Sequence, residues 1–329
     1  MQRRILLGTA LAMPALITGR GAGAQTRLRW AHVYEVNEPY HTQALWAAQQ
    51  IAQRTANRWN IEVFPASALG NEPTINQGLA LGTVDLIYTG IAFAGATYKP
   101  IAIGNAPYVF RDYEHFSAYR TSDLLREMMA GYDRQTGHRA TALTYYGERH
   151  VTANRPVMRP EDMRGMKLRV PQAPLFLMFT RSVGANATPI AFAEVYLALQ
   201  QGTVDGQENP LPTIQAKKFY EVQSHLSLTG HITESLVTIV SGNTWRRLND
   251  ADKQVFQEVL REASDRATNE IRQAELALPP WFEQQGKTVL RPDRAAFRAA
   301  AQPLHNDAAA GAGWTREQYD RLQAVVARS

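Results

Sequence analysis

Arginine and asparagine side chains suit an organic anion, and Arg149, Arg169 and Asn209 are among those in this chain of 329 residues. A planar guanidinium aims two parallel N–H donors at the two oxygens of a carboxylate, a charge-assisted pairing that a lysine ammonium does not form. An asparagine adds one acceptor and two donors without further charge. Arg169 lies in Lys167-Leu168-Arg169-Val170-Pro171, a β-favouring run stopped by a residue with no backbone N–H, which places it at or near a strand end. Strand ends are where ligand-facing residues stand in an open α/β sheet. Arg149, in Gly147-Glu148-Arg149, reads on its own first as surface charge, and Asn209 falls in the polar stretch 205–210, expected to be a loop.

Catalytic chemistry finds few carriers. G-x-S-x-G, H-E-x-x-H and P-loop patterns are absent, the glycine cluster at 19–23 sits near the N-terminus, and eight histidines are scattered. Zero cysteines excludes disulfides, thiolate catalysis and cysteine zinc sites together. His231 and Glu234 have H-x-x-E spacing, but on a strand three residues would put them on opposite faces, which argues against a metal site. The expectation is a binding protein with no cofactor, no metal and no catalytic residue.

At the N-terminus, Arg3 and Arg4 precede an apolar run from Ile5 to Ile17 and the small-residue site Ala22-Gly23-Ala24. That reads as a secretory signal over residues 1–24, with an apolar run too short for a permanent anchor and a mature start at Gln25. A Sec route is expected ahead of a twin-arginine one. The signal holds three arginines and no acid, so the formal charge falls from +5 to +2 on its removal. With no long lysine or arginine run, a nucleic-acid partner is not expected. A soluble periplasmic product is.

The elements that must position these residues follow in order. Strands are expected at Leu28–Val33, Ile61–Phe64, Leu86–Thr89, Ala140–Tyr146 and His231–Ser241, with helices at His41–Thr55, Glu72–Leu81, Asp112–Ala130, Leu175–Val183 and Ala193–Gln201. Strand and helix alternate across short connections, which argues for a mainly parallel sheet. From an N-cap at Asp250, apolar residues repeat at three- and four-residue steps to Leu278, a helix of roughly 40 Å. Pro279-Pro280 should break or kink it. A short strand near Lys287–Leu290 and two terminal helices complete the chain, whose length suits two lobes better than one core.

The K-x-R-V-P run at 167–171, the D-G-Q-E-N-P stretch at 205–210 and the G-x-R segment at 147–149 together resemble the DctP family, the periplasmic solute receptors of TRAP transporters, and most of all its sialic-acid branch. The likeness runs from about Leu28 to about Arg298. It implies an α/β two-lobe periplasmic-binding-protein fold with mainly parallel sheets, an interlobe ligand cleft and a long kinked helix across both lobes. Lobe I would hold residues 25–147 with 235–275 returning to it, lobe II 148–234 with part of 276–300, and residues 301–329 the terminal helices. It implies that Arg169 grips the substrate carboxylate, with Arg149 and Asn209 as further contacts. Phe192 would pack on the ligand or in the core, and Tyr34, Glu35, Thr89 and Gly90 would face the cleft, Glu35 alternatively being a solvated loop carboxylate. The glutamate that the sialic-acid branch carries at the position of Gly90 is absent, which counts against sialic acid. Tyr34, Trp46 and Phe192 would favour a ring.

The function so implied is a monomeric receptor that binds a small organic acid by arginine–carboxylate pairing and lobe closure and delivers it to TRAP membrane permease subunits. A signalling receptor of the same fold, presenting its bound acid to a membrane sensor, is the alternative. A secreted hydrolase or isomerase on a two-lobe scaffold is a third reading.

Overall fold

The computed structural model describes residues 25–326, so the expected export signal lies outside the described residues. Among the described residues, nine strands form one sheet: β1 (Thr26–Ala31), β2 (Trp59–Phe64), β3 (Leu86–Gly90), β4 (Arg139–Ala153), β5 (Lys167–Val170), β6 (Asn186–Pro189), β7 (Gly206–Pro210), β8 (His225–Val240) and β9 (Thr288–Leu290). Their order is β2-β1-β3-β8-β4-β7-β5-β6, with β9 beside β8. Pairings β1–β2, β1–β3, β5–β6, β5–β7 and β8–β9 are parallel, while β3–β8, β4–β8 and β4–β7 are antiparallel.

Two strands much longer than predicted make this arrangement. β4 runs 15 residues and β8 runs 16, and they pair from Arg139↔Val240 to Ala153↔His225. β3 joins β8 over residues 236–240, and β7 joins β4 over 149–153, near opposite ends of the shared ladder. Each long strand therefore belongs to two wings, β2-β1-β3 and β7-β5-β6, and is the physical link between them. The ladder is irregular where the wings meet, with register shifts at Tyr145/Gly147 and Arg149/Val151. Gly147 there adopts φ +123°, a conformation that an L side chain rarely takes.

Other boundaries also moved. Gly206–Pro210 is a fully buried strand and not a loop, because its polar side chains find partners on neighbouring strands. The helix expected over 112–130 is two, Tyr113–Arg120 and Asp123–Thr136, since Ser122 starts the second by accepting from Leu125 N. The long helix runs Asp250–Gln284, about 52 Å. Asn249 caps it by accepting from Asp252 N, one residue before the expected cap. The helix passes through Pro279 and Pro280 without a break. These prolines lie close to its end, and Trp281 and Phe282 pack edge-on with Tyr220, which anchors the last turn. Its face of Phe256, Val259, Leu260, Ala263, Ala267 and Ile271 is buried, against the Pro39–Arg54 helix and β4, and the helix also reaches Leu211–Ala216 and β9. One unbroken helix thus touches β4, which both wings share, and the segment that follows β7.

Candidate ligand cleft

Where the wings face each other, a narrow cleft is lined by Tyr34, Glu72, Gly90, Phe93, Tyr146, Arg149, Arg169, Pro171, Phe192, Asn209 and Glu234. Six of the eight sequence-predicted contacts meet here: Tyr34, Gly90, Arg149, Arg169, Phe192 and Asn209. Larger concavities exist, such as one beside Pro73, Tyr132 and His138, but none of those described brings a buried arginine into its lining. Chemistry, not size, selects the site.

Arg169 follows the strand-end expectation. It sits within β5, paired to Thr188 of β6 and Gln207 of β7, and is 1 % exposed. Its Nε and Nη2 both donate to the carbonyl of Ile190, at 3.0 and 2.7 Å, and no carboxylate pairs with it among the described residues. Burial pushes its pKa down, to about 10, against the field of Glu72, so it remains a cation at neutral pH.

Arg149 is placed differently from a free second cation. It is also buried, but Nε and Nη2 donate to both carboxylate oxygens of Glu208, with Nη2 at 2.8 Å from Oε1, and Nη1 donates to Glu234. Its guanidinium lies 5.1 Å over the Phe176 ring. Burial opposes its charge, yet the two carboxylates win and raise its pKa. The two acids differ because their shares of Arg149 differ. Burial raises both, but Glu208 holds the fork of Arg149 and also faces His231 Nε2 at 3.1 Å, and it ends below the usual range. Glu234, with a single Arg149 contact and with Glu208 and Glu72 nearby, is pushed up to about 7. His231 is held neutral by burial, so Nε2–H donates to Glu208 while Nδ1 accepts from Thr229 Oγ1 at 2.8 Å.

The expectation that His231 and Glu234 occupy opposite faces fails. Both reach the Arg149–Glu208 cluster, because the β4–β8 ladder jumps from Ile232 to Ser227 across a bulge in which Gly230 has φ +54°. A bulge cancels the alternation on which that expectation rested.

Asn209, on β7, is oriented by a relay. Its Nδ2 donates to Gln207 Oε1 at 2.6 Å, Gln207 Nε2 to Thr152 Oγ1 at 3.0 Å, Thr152 to Gln223 Oε1 at 3.3 Å, and Gln223 Nε2 to the Val222 carbonyl. A carbonyl only accepts, so the polarity of the chain is set and Asn209 Oδ1 is left without a protein partner among the described residues.

Aromatic rings form the walls. Tyr34 lies 5.3 Å from Tyr146 and 6.4 Å from Phe192, and the Tyr146 hydroxyl donates to Thr213 Oγ1 at 3.0 Å, whose own proton goes to Glu38. Tyr34, Tyr146, Phe93 and Phe192 are all nearly fully buried, so Phe192 serves the core and the cavity at once. Trp46 is elsewhere, under Arg266.

Two expected contacts stand outside. Thr89 neighbours Gly90 on β3, so its side chain leaves the opposite face and accepts from Asn76 Nδ2 at 2.7 Å. Glu35 is one layer outward, accepting from Lys217 Nζ at 2.7 Å, and that ammonium lies 5.2 Å over Phe192. The sequence reading missed Glu72, Phe93, Tyr146 and Glu234. Glu234 has a signal that was set aside: it stands three residues after His231. Glu72 has none beyond its place at a helix start.

The family model for DctP, described as bacterial extracellular solute-binding protein, family 7, matches residues 30–311. The chain belongs to that family. It is a solute-binding receptor of the TRAP transporter class, with the mixed α/β, two-lobe fold of its relatives. It is similar to the sialic acid-binding periplasmic protein SiaP of Vibrio cholerae, with 34 % identity over 90 % of this chain and 92 % of that one. Among solved structures, it is similar to a TRAP periplasmic solute-binding protein from a Polaromonas species bound to D-erythronate (32 % identity, TM-score 0.87, 92 % of this chain and 100 % of that one). A third likeness is to a TRAP receptor from Roseobacter denitrificans with bound L-galactonate, at 28 % identity and TM-score 0.84, covering 92 % of this chain and 98 % of that one. The sialic-acid protein is thus one of several similar relatives.

Proposed function

We propose that this receptor captures a small organic acid in the periplasm, with the ligand carboxylate on Arg169, and hands it as a monomer to TRAP permease subunits without altering it. The observation that carries this reading is Arg169 itself, a buried guanidinium with no carboxylate partner, facing a narrow cleft lined from both wings of the sheet. An uncompensated buried cation is costly, and an incoming carboxylate offsets that cost through a bidentate pair.

The strand pattern supports closure. Residues 25–147 with 235–275 form one lobe and 148–234 with part of 276–300 the other, hinged on β4 and β8 where Gly147 and the register shifts interrupt the ladder. A ligand that touches Tyr34 or Glu72 on one side and Arg169 or Asn209 on the other binds the closed form better and shifts the equilibrium towards it by that difference. No helix among the described residues is long and apolar enough to cross a membrane.

A thermal-shift screen of organic acids on the mature protein, followed by calorimetry of wild type and Arg169→Ala, tests the reading. Acids that bind wild type and lose at least two orders of magnitude in the variant support it. Binding unchanged by the substitution overturns it.

A further inference from the structure

We infer that the cleft is built for a monocarboxylate whose remaining polar groups are hydrogen-bond donors, received by Glu72 and Glu234 opposite Arg169, and that it rejects dicarboxylates. The inference deepens the proposed function and rests on it.

Two arginines on the cavity wall would suggest room for two carboxylates. The pairing removes one of them: all three nitrogens of Arg149 already donate to Glu208 or Glu234. Arg169 is then the sole guanidinium on this wall without an acid. What else the wall offers is mostly acceptor. Asn209 Oδ1 is left over by the relay to the Val222 carbonyl, and the Glu72 carboxylate accepts from its own backbone N–H, with no other residue's side chain hydrogen-bonded to it among the described residues. Glu234 has one oxygen on Arg149, and its other oxygen would touch any Cβ added at Gly90, so it borders the cavity at the place where position 90 has no side chain.

The charges agree. Arg149, Glu208, Glu234, Arg169 and Glu72, all buried, sum to one negative charge when every group is ionised. A monocarboxylate brings a second negative charge, which the elevated proton affinity of Glu234 and Glu72 allows the pair to absorb. A dicarboxylate brings a third with no cation left to meet it, and like charges desolvated together are the repulsive element that specificity requires. Hydroxyl or ammonium groups meet those same acids as donors.

The test titrates the mature protein by calorimetry with four matched series of three to six carbons: polyhydroxy monocarboxylates, α-amino acids, unsubstituted monocarboxylates and dicarboxylates. A hydroxy or amino series should bind at least about tenfold tighter than the plain and dicarboxylate series of the same length, one tenfold being 1.4 kcal/mol. Which of the two leads separates hydroxyl from ammonium as the donor. Glu72→Gln and Glu234→Gln, each checked for folding by thermal melt, should narrow the gap between the hydroxy or amino acid and its dicarboxylate. Dicarboxylates binding as tightly as donor-bearing monocarboxylates overturn the inference, as does a gap unchanged in both variants. If plain or dicarboxylic acids bind and depend on Arg169, the receptor reading survives while this one falls. Binding by no acid in any series overturns both.

Discussion

Glu234 fills the room that a side chain at Gly90 would need: its Oε1 would lie 3.2 Å from a Cβ built there, with Phe93 Cδ2 at 3.3 Å. β3 and β8 pair antiparallel at this point, Gly90 opposite Leu236. The acid that the sialic-acid branch would carry at position 90 is thus matched here by an acid arriving from the next strand. Gly90→Glu should lose ligand affinity and melt at lower temperature, because two buried carboxylates would share one corner. Combining it with Glu234→Ala should restore part of both losses, a coupling that a double-mutant cycle in calorimetry and thermal melting measures directly.

Arg169 and Arg149 should behave oppositely in the ligand-free protein. Arg169 has no acid to abandon, so Arg169→Met should leave the melting temperature unchanged or higher while binding drops by about 3 kcal/mol or more. Arg169→Lys should not rescue affinity, since an ammonium lacks the fork. A ligand-free protein strongly destabilised by Arg169→Met would show that the guanidinium is structural.

Arg149→Ala leaves Glu208 and Glu234 buried with no countercharge between them. Urea denaturation should report a loss of about 3–5 kcal/mol, the usual penalty for breaking a buried ion pair from one side. Arg149→Ala with Glu234→Gln should lie closer to wild type than the single variant does.

Glu35 and Lys217 form a contact outside Phe192, joining the loop after β1 to the segment after β7. Part-exposed ion pairs stabilise little, about 0–1 kcal/mol. In a closing receptor that energy is present only when the lobes meet, so Lys217→Ala should raise the ligand dissociation rate by up to about fivefold with little change in association. Stopped-flow kinetics would show the reverse pattern if the pair steered encounter instead.

Glu38 is buried, accepts from Glu35 N at 2.7 Å and Thr213 Oγ1 at 2.7 Å, and burial pushes its pKa up to about 7. An acid whose folded pKa exceeds its unfolded value holds more protons folded than unfolded between the two. Its contribution is complete below about 4.5 and is lost as pH rises to about 7. Glu38→Gln does not titrate, so its melting temperature should gain on wild type between pH 5 and 8. A constant difference across that range would place the titration elsewhere. Histidines that burial keeps neutral, such as His32 and His150, pull wild type the other way below their unfolded value of 6.5, which makes the difference between variants the cleaner readout.

Residue types and local spacing determined much of this protein. The β-run stopped by Pro171 put Arg169 near a strand end, the apolar steps after Asp250 made a long helix, and the run of short motifs named the family. Each of these is local, settled by dihedral preference, periodicity or a ligand chemistry carried by one side chain. Tertiary structure alone decided who pairs with whom. Glu208 and Glu234 stand 59 and 85 residues from Arg149, and the pairing makes Arg149, which also lines the cleft, the centre of a buried network. The same contacts made a strand of 206–210, whose composition reads as a loop, because a polar side chain can be buried only when distant strands bring its partners. Charge balance in the cleft is a sum over five side chains drawn from β4, β5, β7, β8 and the start of the Glu72–Leu81 helix, and no short window of sequence contains that sum.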